Sequence, residues 1–250
     1  MRTYFDVSVQ MGRGFVPAPG AAATAPDLTR EMDRAGIARA LVWHPAQQGV
    51  YPGKGNALVS RMVAGAPRLE AAWAILPPVT REVVTPAFFD EMKAAGVRAL
   101  RAFPTDHRYL FRRSAMGRFL DEVAERRIPV LLSPDFGVPF EAMYDILAEY
   151  PSLTAIVCDV GIWGADRKVW PLLENYPRLR VETSLVSLEA GGLESCVRRF
   201  GASRFLYGST FPKRYFEAPM LDLEHAALPA EDKDAIASKN LEAMLKEVML

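Results

Sequence analysis

The sequence predicts an α/β protein built as a (β/α)8 TIM barrel, and two observations carry that prediction. Short β-branched runs alternate with amphipathic stretches along the whole chain, with no break in composition. Parallel strands joined by helical crossovers produce this pattern. The alternation repeats about eight times within 250 residues, which suits the size of a closed (β/α)8 barrel. An open doubly wound sheet is the alternative. No Gly-x-Gly-x-x-Gly stretch follows the first strand, so a dinucleotide-binding fold receives no support.

The expected strands cover residues 4–9, 38–43, 70–75, 97–103, 129–132, 153–158, 179–182 and 205–207. The first helix, 27–35, stops at Gly36, because glycine accepts the left-handed conformation that ends helices. A helix over 88–95 stops the same way at Gly96. Met116, Phe119, Leu120 and Val123 recur at helical spacing and form one apolar face. Ile128-Pro129 then ends that helix and opens the next strand. Met143, Ile146 and Leu147 repeat the arrangement before Tyr150-Pro151. The tail from 230 to 250 reads as closing helices, with Ile236, Leu241, Met244 and Leu245 facing inward. Residues 17–26 form a loop too short for a domain linker, so 1–250 is expected to be a single domain.

Thirty basic side chains balance thirty acidic ones. The chain therefore carries no overall field to attract nucleic acid or an anionic membrane surface, and neither partner is expected. No apolar run approaches the ~20 residues of a membrane span. Asp6 interrupts the opening segment where a signal peptide needs apolar residues. Cys158 and Cys196 sit in apolar surroundings and read as buried free thiols, so a reducing cytoplasm is the expected location.

The stretches 31–42 (with Arg34-Ala35-Gly36-Ile37), 94–104 (with Ala95-Gly96-Val97-Arg98) and 127–132, followed by Tyr207-Gly208-Ser209 and Lys239-Asn240, occur in a characteristic order and spacing. In these the chain resembles the amidohydrolase-related family, which holds metal-dependent hydrolases, lactonases and nonoxidative decarboxylases. The resemblance implies a TIM barrel. It also implies a metal site with two histidines in a His-x-His pair on the first strand, where this chain has Ser8 and Gln10. Family histidines after the fifth and sixth strands correspond to Ser133 and Asp159, and the aspartate after the eighth to Thr210. Serine, glutamine and threonine are feeble zinc ligands, and only Asp159 would bind a hard cation strongly. No metal and no cofactor are therefore expected.

Function in such a barrel sits at the C-terminal ends of the strands. The polar residues expected there are Asp6, Ser8, Gln10, His44, Arg101, Ser133, Asp135, Asp159, Glu182, Ser184, Ser209 and Thr210. Asp106, His107, Arg108 and Tyr109, in the connection 104–113, would act as a lid over a ligand or lie as an exposed loop. His44 reads either as a general base or oxyanion donor, or as a residue fixing the Pro45 loop by hydrogen bonds. Arg101 reads as a fork for a substrate carboxylate, or as the ion-pair partner of Asp135 or Asp159. Asp159 would activate water, pair with Arg101, or cap the next helix. Asp135, after Pro134, reads as a loop-shaping residue. The serines line the pocket, since no Gly-x-Ser-x-Gly elbow is present. Trp43, Trp163 and Trp170 are expected in the core or pocket wall, and His225 on the surface.

The leading expectation is a metal-independent hydrolase opening a lactone or ester in a small carboxylated molecule, with His44 or Asp159 as base and Arg101 holding the substrate. A catalytically silent binding relative is the alternative, and a decarboxylase-type lyase the third. Phe211-Pro212 and Tyr215-Phe216 read as exposed apolar loops, which would favour a homo-oligomer.

Overall fold

The computed structural model describes residues 2–14, 18, 20–49, 51–162, 166–186 and 191–250. Its strands are β1 (Tyr4–Gln10), β2 (Ile37–Trp43), β3 (Leu69–Ile75), β4 (Ala99–Ala102), β5 (Val130–Leu132), β6 (Ala155–Val157), β7 (Leu179–Glu182) and β8 (Phe205–Leu206). They form one sheet in the order β1-β2-β3-β4-β5-β6-β7-β8, and each pairs in parallel with its sequence neighbour. Val7 N–H donates to the Tyr207 carbonyl at 3.0 Å, and Gln10 N–H to that of Phe211 at 2.8 Å. These bonds tie the first strand to the end of the last and bring the ring nearly to closure. The expected (β/α)8 TIM barrel is the observed fold.

Between the strands run α1 (Ala25–Ala35), α2 (Pro52–Val63), α3 (Phe88–Ala94), α4 (Arg113–Met116), α5 (Phe119–Glu125), α6 (Phe140–Glu149), α7 (Val169–Asn175) and α8 (Gly192–Phe200). After β8 come α9 (Glu217–His225), α10 (Ala230–Asp234), a wider turn over Ala235–Lys239, and α11 (Asn240–Lys246). Local chemistry sets α1. Thr24 and Asp27 satisfy each other's backbone N–H groups in a capping box, and Gly36 closes the helix at φ 79°. β4 is shorter than expected because Val97 N–H still bonds to Met92 O at the exit of α3.

Two apolar layers hold the barrel. Leu28, Met32 and Val42 belong to the large outer layer. Phe5, Val7, Leu41, Leu131, Ile156 and Leu206 cluster with Leu241, Met244 and Leu245 of α11, which closes the N-terminal end. Trp43, Ala74 and Phe103 form a separate cluster at the C-terminal end, with Phe136 packed on it. Cys158 and Cys196 are free and buried. No helix among the described residues is long and apolar enough to cross a membrane.

Two buried carboxyl groups fasten the strand ends at the mouth. Asp6 Oδ1 accepts from Ser8 N at 3.0 Å, and both Asp6 oxygens accept from Ser209 N at 3.2 and 3.1 Å, which joins β1 to β8. Glu182 Oε1 accepts from Asp159 N at 2.7 Å and Ser184 Oγ at 2.6 Å, and its Oε2 from Ser184 N at 2.8 Å. This joins β7 to the end of β6. A methyl group at Gly208 would stand 2.6 Å from Glu182 Oε2 and 3.1 Å from Val7 Cγ1, so the backbone approaches the carboxylate only without a side chain.

The loop after β8 differs from expectation. Phe211 and Phe216 are buried and stack at 4.4 Å, 5° from parallel, leaving only Tyr215 exposed. Folding the loop back on itself hides the two rings, so the apolar patch expected to favour self-association shrinks to one side chain.

Burial raises the Asp6 carboxyl from 3.8 to about 7, outweighing its hydrogen bonds to Ser8 and Ser209. The folded chain then keeps a proton that the unfolded chain has released. The stabilisation is complete below pH 3.8 and is lost as pH rises through about 7. In thermal melts Asp6 should therefore contribute a fall in stability between pH 5 and 7.5 of at most about 1.4 kcal/mol per pH unit, added to that of Glu182, whose buried carboxyl is raised to about 8. The Asp6→Asn variant should show a flatter profile over that range.

Candidate active site

Arg101, on β4, is the centre of the barrel mouth. Its side chain is 1 % exposed. Trp43, Phe103 and Phe136 surround the guanidinium, with ring centroids 4.9, 5.7 and 4.6 Å from Cζ. The three rings also pack on one another at 5.0–5.6 Å. Aromatic faces offer a cation partial negative charge, but they do not replace hydrogen bonds. Arg101 Nη1 donates to Ser8 Oγ at 3.1 Å, while Nε and Nη2 are buried without a hydrogen-bond partner among the described residues.

Asp159 supplies the nearest counter-charge, its Oδ2 lying 3.9 Å from Arg101 Nη2. Ser133 Oγ donates to the same oxygen at 2.6 Å. Arg214 approaches Asp159 Oδ1 at 4.0 Å and donates to Thr210 Oγ1 at 2.9 Å. Asp159 and Thr210 both adopt left-handed backbone at φ 59°, a conformation that is unfavourable for side-chain-bearing residues and recurs at functional sites.

Of the two acids considered as partners for Arg101, the pairing falls to Asp159. Asp135 lies on the turn Pro134–Phe136, exposed, and pairs with Lys213 from the loop after β8. That bridge spans the mouth beside Phe136. Gln10 is half-buried and donates to Gly12 O at 3.4 Å. Ser209 Oγ accepts from Phe211 N, and Ser184 is bound to Glu182. Burial, then the charge of Asp159, raises the Glu182 carboxyl above its usual range.

His44 stands at the end of β2. Its Nδ1 accepts from Ala46 N at 2.9 Å and its own N–H donates to Gln47 Oε1 at 2.7 Å, fixing the Pro45–Gln47 turn. The neutral ring then carries its proton on Nε2, which lies against Gly12, where a Cβ would stand 2.2 Å away. Burial lowers its pKa below the usual histidine value. Gln47 is held in turn by Asn56 and Ala72.

The 104–113 connection leans toward the end of β3. Tyr109 donates to Ile75 O at 3.3 Å, and Gln48 to Asp106 at 3.0 Å. Asp106, His107, Arg108 and Tyr109 border a cavity of about 390 Å3 with Pro52, Leu76, Pro77, Thr80 and Glu82. The His107 ring meets the Phe103 edge at 5.8 Å, so one aromatic ring separates this cavity from Arg101. Neither His107 nitrogen has a partner at hydrogen-bonding geometry among the described residues, although the Gln47 and Gly49 carbonyls favour its charged form; burial dominates and lowers its pKa.

Trp43 lines the site, Trp170 is half-buried beneath Arg199, and Trp163 lies outside the described residues, as does Pro17 of the 17–26 loop. His225 is exposed on α9. Sequence reasoning missed Phe136 and Arg214. The only signal for Arg214 was a basic pair, Lys213-Arg214, just past the last strand.

The family resemblance implies a metal at Ser8, Gln10, Ser133, Asp159 and Thr210, and the residues present do not fit one. Ser8 and Thr210 accept from Arg101 and Arg214, and Ser133 donates to Asp159. Two guanidinium groups bring positive charge to the positions a cation would need. No three His, Cys, Asp or Glu side chains converge as a metal-binding group among the described residues.

A family model described as amidohydrolase matches residues 10–246. No curated protein matches the sequence. Among solved structures, an uncharacterized TIM-barrel protein from Bordetella bronchiseptica superposes with a TM-score of 0.70 at 16 % identity, over 98 % of this chain and 99 % of that one. A 2,6-dihydroxybenzoate decarboxylase from Rhizobium gives 0.73 at 14 % identity, over 98 % and 99 %. A probable 2-pyrone-4,6-dicarboxylic acid hydrolase from Acinetobacter baumannii, with citric acid bound, gives 0.74 at 12 %, over 97 % and 99 %. At these identities the superpositions establish a shared fold. Together with the family model, which spans nearly the whole barrel, they lead to one conclusion: the chain belongs to the amidohydrolase family.

Proposed function

We propose that the protein is a metal-independent hydrolase that opens a lactone or ester in a small carboxylated molecule, with Arg101 binding the carboxylate. The observation carrying this reading is the buried Arg101 guanidinium with two donors unanswered. A buried donor without an acceptor costs about 1–3 kcal/mol, and a ligand carboxylate would supply two acceptors in matching geometry. The similar structure described as a probable pyrone-dicarboxylic acid hydrolase was solved with citric acid bound, so a carboxylated ligand occurs on this fold.

Asp159 is the base in this reading. It faces Arg101, and Ser133 and Glu182 orient it. His44 fits the role of oxyanion donor better than that of base, because the Nδ1 lone pair is taken by Ala46 N–H. Glu182 and Asp6 hold backbone in place and take no part in proton transfer.

A second reading, a silent binding protein, is favoured by one observation. At positions where the family resemblance implies metal ligands, Ser8 and Thr210 are taken up by Arg101 and Arg214, so the pocket keeps its place without the groups the family's reaction would use.

Screening carboxylated lactones and esters for turnover, with calorimetry on the hits, separates the two readings. Arg101→Met should weaken binding about 100-fold, the scale for removing one partner of a buried charge pair. Asp159→Asn should leave binding within a few-fold and lower turnover by about 100-fold or more. Unchanged turnover in Asp159→Asn would remove the base assignment. A ligand that raises the melting temperature yet is never consumed would favour the silent protein.

A further inference from the structure

The opposite end of the barrel carries a second concentration of arginine. A cavity of about 150 Å3 opens among the residues that lead into β5 to β8 and along α11, and its walls include Arg127, Thr154, Arg178, Arg180, Ser203 and Glu247. Glu247 Oε2 lies 3.1 Å from Arg127 and 3.6 Å from Arg178. Two guanidinium groups thus share one carboxylate, and Arg180 lines the same cavity.

Arg180 hydrogen-bonds to the carbonyls of Pro177 and Leu179. Arg204, beside it, bonds to those of Leu179 and Tyr176. Among the described residues no carboxylate forms an ion pair with either. Carbonyls satisfy N–H groups but leave the charge uncompensated. Burial and then the neighbouring Arg178 lower the pKa of Arg180, and burial and then Arg180 lower that of Arg204, as like charges crowded together require. In the same wall, Thr154 Oγ1 is buried with no hydrogen-bond partner among the described residues.

We propose that the N-terminal end of the barrel binds a phosphate-type tetrahedral oxyanion, held by Arg178 and Arg180 with Arg127 and the Thr154 hydroxyl. Guanidinium forks match the oxygens of such an anion, and a hydroxyl adds a further donor. The cavity, about 150 Å3 and open to solvent, has room for a single oxyanion with its remaining water. The anion would neutralise the excess charge of the arginines. This site is separate from the mouth, because it lies at the other ends of the strands.

The test is thermal denaturation and calorimetry of the whole protein with inorganic phosphate and with methyl phosphate, against sodium chloride at equal ionic strength. Inorganic phosphate should raise Tm by about 4 °C at ten times its Kd, and further with the logarithm of its concentration, while the calorimetric isotherm saturates. Thr154→Val should weaken binding several-fold with the fold intact, and Arg178→Gln with Arg180→Gln should abolish it. Equal shifts from both probes assign the site to a phosphate group on a small molecule; a shift from inorganic phosphate alone assigns it to the free anion. The proposal is overturned if Tm follows ionic strength whatever the anion, or if the effect survives in the double variant. Should the double variant fail to fold, either an unchanged Kd in Thr154→Val or the absence of a calorimetric signal in the unmodified protein would overturn it.

Discussion

A guanidinium buried at the centre of the barrel mouth is the constraint around which the rest of the site is arranged. Charge removed from water needs compensation nearby. Here it comes from Ser8 on β1, Asp159 after β6 and three aromatic rings from the ends of β2, β4 and β5. The compensation is incomplete, since Nε and Nη2 are left without acceptors. In a purely structural arginine that deficit would be a defect. At the C-terminal end of a barrel it is the deficit that the proposed carboxylate ligand would make good.

Holding that arrangement needs a rigid frame. Asp6 and Glu182 supply it by accepting backbone N–H groups from neighbouring strand ends, so that Ser8, Ser209, Asp159 and Ser184 are each located by a carboxylate beneath them. Asp159 and Thr210 adopt left-handed backbone, a conformation that persists only where surrounding contacts over-determine it. Both stand at positions where the family resemblance implies metal ligands. At both positions the side chain meets a guanidinium: Asp159 lies near Arg101 and Arg214, and Thr210 accepts from Arg214.

The two ends of the barrel then present different electrostatics. At the mouth, the buried Arg101 is opposed by Asp159 and covered by aromatics. At the base, Arg127 and Arg178 share Glu247 while Arg180 lines the same cavity, and α11 closes the ring with Leu241, Met244 and Leu245. A chain with no net charge overall therefore carries a local excess of positive charge that its composition does not disclose.

What the sequence determined by itself was the architecture and the place of the site. Strand–helix alternation, Gly36 as a helix stop, and apolar faces such as Met116, Phe119, Leu120 and Val123 are local signals, written in periodicity and turn chemistry. The list of polar residues at strand ends followed from them. Tertiary structure decided what those residues do, because their partners lie far apart in sequence. Ser8 meets Arg101 across 93 positions, and Asp6 meets Ser209 across 203. Asp135 and Asp159 were equal candidates for Arg101 until the β5 turn carried Asp135 out to Lys213. Phe136 and Arg214 had no local signature of function, and Phe211 and Phe216 looked exposed until the loop folded back and stacked them. Side-chain chemistry is local, but the charge and burial that give it meaning depend on contacts that only ring closure brings together.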